Sequence, residues 1–219
     1  MKKISFLLVF FIAAITLACG QRKEKTKVSG PVTTKEISVA DFHSIGLSIG
    51  ANIYIEKGPQ KVSVKGQSDL IDLIDTKVKK GSWGIEFTKR VTNYDGKLEI
   101  YITMPTVKGI AIAGSGDVYG KSNFDGLDKF SISISGAGNV QFSGSADRTS
   151  ISIAGSGDVD LTNLKAQTSK ISIAGSGDAD VYVTDQLTVS IAGSGDVNYK
   201  GSPKVKTSIA GSGDVNSMD

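Results

Sequence analysis

The chain has one cysteine, Cys19, among 219 residues, so no disulfide can form within it. It has one histidine, His43, in "ADFHSIG", with no Cys, Asp or Glu at ligand spacing, which makes a structural role the simpler reading. No Ser/His/Asp order, phosphate loop or zinc pattern occurs, and "GSG" is followed by no helix that would make it a dinucleotide site. Aromatic residues are 7% of the chain. Trp83, Tyr94, Tyr101, Tyr119, Tyr182 and Tyr199 are scattered, without the stripe of a sugar-stacking groove or a single-stranded nucleic-acid platform. A formal net charge of +3 is too small for electrostatic binding of nucleic acid. Proline occurs four times, and no Pro- or Gly-rich linker divides the chain, which predicts a single domain.

What is present begins with a leader. Met1-Lys2-Lys3 precedes an apolar run from Ile4 to Leu17, too short to span a bilayer as a helix but suited to a signal-peptide core. The run ends at "LACG", which resembles a bacterial lipobox and implies cleavage before Cys19 and lipid attachment to it. Thr16 stands where such motifs usually carry Leu, and cleavage after Gly20 is the alternative. The polar stretch "GQRKEKTKVSG" then reads as a flexible tether. The expected organisation is a signal peptide over 1–18, a lipidated Cys and tether over 19–31, and one folded domain over 32–219.

Glycine is abundant, and its placement is periodic. A seven-residue phrase of the form "IAGSGDV" starts at Ile112, Ile134, Ile153, Ile173, Ile191 and Ile209, and its first glycines are separated by 22, 19, 20, 18 and 18 residues. A repeat near 20 residues predicts a solenoid. Within each lap the apolar period is two: Ile151 and Ile153 alternate with Ser150, Ser152 and Ala154, and Val159 and Leu161 alternate with Asp158 and Asp160. Each lap therefore reads as strand, Gly-Ser-Gly turn, strand, and a second, variable turn. Strands recurring at one lap length stack in parallel, so the expected fold is a right-handed parallel β-helix with aliphatic ladders inside. The glycines would allow the positive φ of a sharp corner and the close approach of neighbouring laps.

The N-terminal half is less regular. "IGANIYIEKG" looks like a worn copy of the phrase, "SDLIDLIDTKVKKG" suggests a short helical excursion leading into a strand, and the 64 residues from Gly50 to Gly114 would make about three laps. "KVKK" (Lys77 to Lys80) reads as a solvated strand face.

The acidic position of the phrase places Asp117, Asn139, Asp158, Asp178, Asp196 and Asp214 in one outward column, with Asp160 and Asp180 beside it. Two carboxylates about 4.8 Å apart in water repel by only about 0.9 kcal/mol, so no metal is required. The simplest role is a turn former that hydrogen-bonds local backbone. A surface ligand or cation column is the functional alternative. The calcium nonapeptide roll is a poor match, because there is one such turn per lap and Asp directly follows the second Gly. No cofactor is implied.

The landmarks occur in a fixed order: "ISVADFHSIGLSIGANIYIEKG", "VKGQSDLIDLIDTKVKKGSWGIEF", "LEIYITMPTVKGIAIAGSGDV", serial "SIAGSGDV" and "VNYKGSPKVKTSIAGSGDVNSM". Over residues 32–216 this resembles the auto-transporter adhesin head GIN domain family. The resemblance implies a secreted or lipid-anchored β-helix of Gram-negative bacteria and supplies no catalytic residues.

The expected function is a non-enzymatic binding, adhesion-like or structural role. The protein would be lipid-anchored in the cell envelope at the outer membrane, with a glycan or protein ligand and no nucleic-acid partner. A carbohydrate lyase or hydrolase using the Asp column and a calcium-stabilised surface module are the other readings. The chain's last lap shows no capping helix, so exposed backbone there is a route to a homo-oligomer.

Overall fold

The computed structural model describes residues 25–92 and 98–218. The segment expected to be a signal peptide, and Cys19 expected to carry lipid, lie outside the described residues. In chain order the elements are β1 (Lys25–Lys27), β2 (Val32–Glu36), β3 (Ser44–Leu47), β4 (Asn52–Lys57), β5 (Lys61–Gln67) and α1 (Ser68–Ile71), then β6 (Val78–Lys79), β7 (Ser82–Ile85), β8 (Arg90–Thr92), β9 (Glu99–Met104) and β10 (Gly109–Gly114). The regular part follows as β11 (Asp117–Gly136), β12 (Val140–Gly155), β13 (Val159–Gly175), β14 (Ala179–Gly193), β15 (Val197–Lys200), β16 (Lys204–Gly211) and β17 (Val215–Ser217).

From β10 onward the chain is the expected β-solenoid. Identical positions of successive phrases lie side by side in parallel pairing: Ile134 against Ile153, Ile153 against Ile173, Ile173 against Ile191, and Ile191 against Ile209. The inward ladder of Leu47, Ile112, Ile134, Ile153, Ile173 and Ile191 is 1–2% exposed. A second ladder of Ile53, Val118, Val140, Val159, Ala179 and Val197 is 0–1% exposed on the other side of the core. Each Val, Leu or Ile of these ladders contributes about 1.5–3 kcal/mol of burial. The variable turn is not a break in the strand. β11 to β14 run through it with register shifts, at Gln141/Ser143 and Leu161/Lys165 for example, because neighbouring laps differ by one to three residues and the surplus is taken up as bulges.

The two glycines of the phrase act differently. Gly155 and Gly175 sit at φ 136° and 137°, a conformation that side chains rarely adopt. Gly157 and Gly177 have no such φ. At all four a Cβ would strike the carbonyl oxygen of the previous lap's glycine, and at Gly157 and Gly177, where space alone requires glycine, it would also meet the methyl of the Ile below, Ile134 or Ile153.

The N-terminal half departs from three consecutive laps. β3 and β4 pair directly with β10 and β11, so the "IGANIYI" copy is the layer immediately beneath the first phrase. The intervening chain folds underneath that layer: β7 pairs with β3 and β9 with β4, both in parallel. Beyond them the direction reverses. β5 is antiparallel to β9, β2 to β5, and β6 to β7, with α1 between β5 and β6. Antiparallel strands cannot accept another lap in the same register, so they close this end. Trp83, fully buried, packs on Phe42 at 5.4 Å between centroids and donates its indole N–H to the Asp75 carbonyl. The helical excursion leading into a strand is present as α1 and β6, shorter than one might draw it from the apolar pattern.

Part of the expected tether is folded. β1 pairs with β8, Val28 is buried, and the Ser29 and Gly30 amides donate to Asp69 Oδ2. Residues 25–31 therefore belong to the folded unit rather than to a linker, because Val28 is apolar enough to seat in the core and Asp69 captures the two amides after it.

Candidate binding face

The phrase's acidic column is brought together as expected, but it bonds differently. The Asp and Asn side chains do not fasten their own turn. Each Oδ1 accepts the backbone N–H of the same position one lap on: Asp117 from Asn139 (2.8 Å), Asn139 from Asp158 (3.0 Å), Asp158 from Asp178 (2.9 Å), Asp178 from Asp196 (2.7 Å) and Asp196 from Asp214 (2.8 Å). The parallel ladder explains this. At the corner each amide turns away from regular strand pairing, and a side-chain oxygen one lap below stands within reach of it. Asn serves as well as Asp because only a carbonyl-type oxygen is needed, which accounts for Asn139 in the column.

Two residues along each strand lies a second outward row. Pairing aligns Tyr101, Tyr54, Tyr119, Gln141, Asp160, Asp180, Asn198 and Asn216 across eight layers. Its first three members form a stacked ladder, with Tyr54 5.2 Å from Tyr101 and 5.6 Å from Tyr119, the rings within 23° and 17° of parallel. Lys121 Nζ lies 5.2 and 5.0 Å from the Tyr54 and Tyr119 rings. This corrects the reading of the aromatics as scattered. The signal was available: the three tyrosines occupy the same place in "NIYIEKG", "EIYITMP" and "DVYGKSN", but those segments align only once the out-of-order layering is known.

The remaining members are tied to one another. Gln141 Nε2 donates to Asp160 Oδ2 (2.9 Å), and Asn198 Nδ2 donates to Asp180 Oδ1 (2.8 Å). Burial pushes the Asp160 carboxyl up, yet the Thr162 hydroxyl and amide, Gln141 and Lys200 together hold it below the usual carboxylate range. At the tyrosine end Glu99 is held low, chiefly by its hydrogen bond from Lys65 and also by the Tyr101 hydroxyl. Tyr101 is raised by that hydrogen bond, and Tyr119 by burial and by Asp117. Between the two rows runs a groove of about 330 Å³, with Tyr119, Gln141, Asp160, Asp180 and Asn198 on one side and Asn139, Asp158 and Asp178 on the other. Asp196 and Asp214 continue the first row beyond it. The face thus offers fixed acceptors, amides and aromatic edges at the repeat of the laps, a set suited to binding.

Among the described residues no cluster of three or more His, Cys, Asp or Glu is arranged to hold a metal ion. The His43 amide donates to the Gly81 carbonyl, its own carbonyl accepts from Lys108, and its Nδ1 lies 3.1 Å from Ser44 Oγ. Among the described residues no helix is long and apolar enough to cross a membrane.

The chain is similar to several solved structures. A putative adhesin from Bacteroides fragilis is 25% identical with a TM-score of 0.72, over 88% of this chain and 100% of that one. A putative lipid binding protein from Parabacteroides distasonis is 25% identical with a TM-score of 0.58, over 90% of this chain and 100% of that one. A putative adhesin from Parabacteroides distasonis, 22% identical with a TM-score of 0.60 over 89% of this chain and 100% of that one, shares the fold. No curated protein matches the chain. The profile of the family described as putative auto-transporter adhesin, head GIN domain, matches residues 41–203. That match spans most of the chain and both the irregular and the regular layers, and the chain belongs to the auto-transporter adhesin head GIN domain family.

Proposed function

We propose that the protein is a cell-envelope, adhesion-like module that binds without catalysis, held at the outer membrane by lipid on Cys19, and that its ligand is an extracellular glycan lying along the tyrosine and Asp/Asn rows. The observation that carries this reading is the single row from Tyr101 through Tyr119 to Asn198, beside a groove. A sugar chain presents hydroxyls at a regular spacing, and carboxylates and amides are the groups that exchange paired hydrogen bonds with them. Rings whose faces are already stacked on each other offer edges and hydroxyls, so the tyrosines bound the groove rather than forming a stacking floor. The names of the relatives in Bacteroides and Parabacteroides support an adhesion-like role, and the apolar run before Cys19 supports the anchor.

The test is a glycan array probed with wild-type protein and with Tyr119→Ala and Asp180→Ala. Selective retention of a glycan class, lost in both variants while their folds persist, is the expected result. Binding that both variants keep would move the site elsewhere. For the anchor, Cys19→Ser is expected to release the protein from the membrane fraction into the soluble one. Membrane retention of that variant would overturn lipidation at Cys19.

A further inference from the structure

We infer that the closed, tethered end of the solenoid is a docking surface for an anionic lipid bilayer; the inference rests on the reading of Cys19 as the lipid anchor. The lysines of β2 and β5 are each paired: Lys35 with Asp72, Lys61 with Glu36 and Lys65 with Glu99. Five other basic residues are not. Lys77, Lys79 and Lys80 lie on and beside β6, which ends one branch of the sheet as β2 ends the other, and Lys27 and Arg90 lie on the separate β1–β8 pair, whose β8 follows β7 in the chain. All five are exposed, and among the described residues none of them makes an ion pair. The hairpin's acids are Asp75, whose Oδ1 accepts the Lys77 amide, and Glu86. The acidic rows lie on the layers beyond, running toward β17 at the opposite end.

The anchor determines which end faces the bilayer. Cys19 precedes β1 by six residues, a reach of about 20 Å at full extension. A lipid on Cys19 therefore holds the basic end against the membrane surface, where each Lys or Arg gains from anionic headgroups. The same arrangement directs the acidic rows away from the membrane.

The experiment uses the chain from Gly20 to Asp219, which keeps every described residue and omits both leader and anchor, in co-sedimentation with phosphatidylcholine vesicles and with vesicles containing phosphatidylglycerol. Sedimentation with the anionic vesicles only, reversed by salt, is the expected result. Lys77→Gln/Lys79→Gln/Lys80→Gln should weaken it roughly a hundred-fold. Lys204→Gln/Lys206→Gln, on β16 at the far end, should leave it unchanged. Absence of vesicle binding, equal binding to neutral vesicles, equal loss in the β16 variant, or retention on heparin without vesicle binding would each overturn the proposal. Because this chain carries no Cys19, the result is separate from the fractionation of Cys19→Ser, and either reading can fail while the other's test stands.

Discussion

The Oδ1 atom of Asp158 accepts the backbone N–H of Asp178 at 2.9 Å, one full lap along the chain. A residue type usually assigned to its own turn is here a fastener between layers. Asp158→Ala should therefore cost about 1 kcal/mol, the net worth of one hydrogen bond, whereas Asp158→Asn should keep nearly all of the stability. Urea denaturation of both variants decides between an acceptor role and one that needs the charge.

The glycines provide a sharper contrast. Gly177→Ala places a methyl group against the Gly157 carbonyl and Ile153, and should destabilise by about 1–3 kcal/mol or more. Gly84→Ala meets nothing within 4 Å and should lie within about 1 kcal/mol of wild type. Equal effects at the two positions would show that close stacking of laps is not what the second glycine serves.

Inside the core, Thr149 and Ser169 are 5% and 3% exposed, and the Thr149 hydroxyl donates to Ser169 Oγ at 2.8 Å. They replace two successive rungs between Phe130 and Leu187 in the apolar ladder. Ser169→Ala leaves a buried hydroxyl without its partner and should cost about 1–3 kcal/mol, whereas Thr149→Val with Ser169→Ala should be near neutral. A double-mutant cycle by thermal or chemical unfolding measures the coupling.

Tyr54 touches both Tyr101 and Tyr119. Removing the middle ring should make later removal of either outer ring cheaper, with a coupling of about 0.5–1.5 kcal/mol per pair. Additive effects of Tyr54→Ala and Tyr101→Ala would dissolve the ladder as an energetic unit.

Asp160 is held below its ordinary value, so its charged form contributes stability that is present above the unfolded carboxylate range, about pH 4, and is lost as pH falls through the folded value. Asp160→Asn removes that titration. Its stability should decline less than wild type between neutral and acid pH, as read from denaturant midpoints at each pH.

The regular half was legible from spacing alone, because a lap that pairs with a copy of itself must repeat its residues at every shared height. Ile153, Gly155, Gly157 and Asp158 could each be assigned a place before any coordinates. Two things were hidden. The layering of β3 and β4 under β10 and β11 depends on pairing between segments about 65 residues apart, which no local period encodes. The tyrosine ladder inherits that problem, since Tyr101 precedes Tyr119 in sequence but is separated from it in space by Tyr54. The partner of each column carboxylate was missed for a related reason: local turn chemistry is readable in sequence, whereas a bond to the next lap requires the lap spacing.

The unequal ends bear on how such a chain could lengthen. A new 18-residue lap placed between β13 and β14 would meet on both sides the same Ile, Gly and Asp contacts that those strands now offer each other, so gene duplication within this stretch extends the molecule without redesign. The same insertion between β7 and β9 would separate strands that must fold beneath β3 and β4. Growth is thus open in the repeats and closed at the base, and each added lap would move the far end about 4.8 Å further from that base.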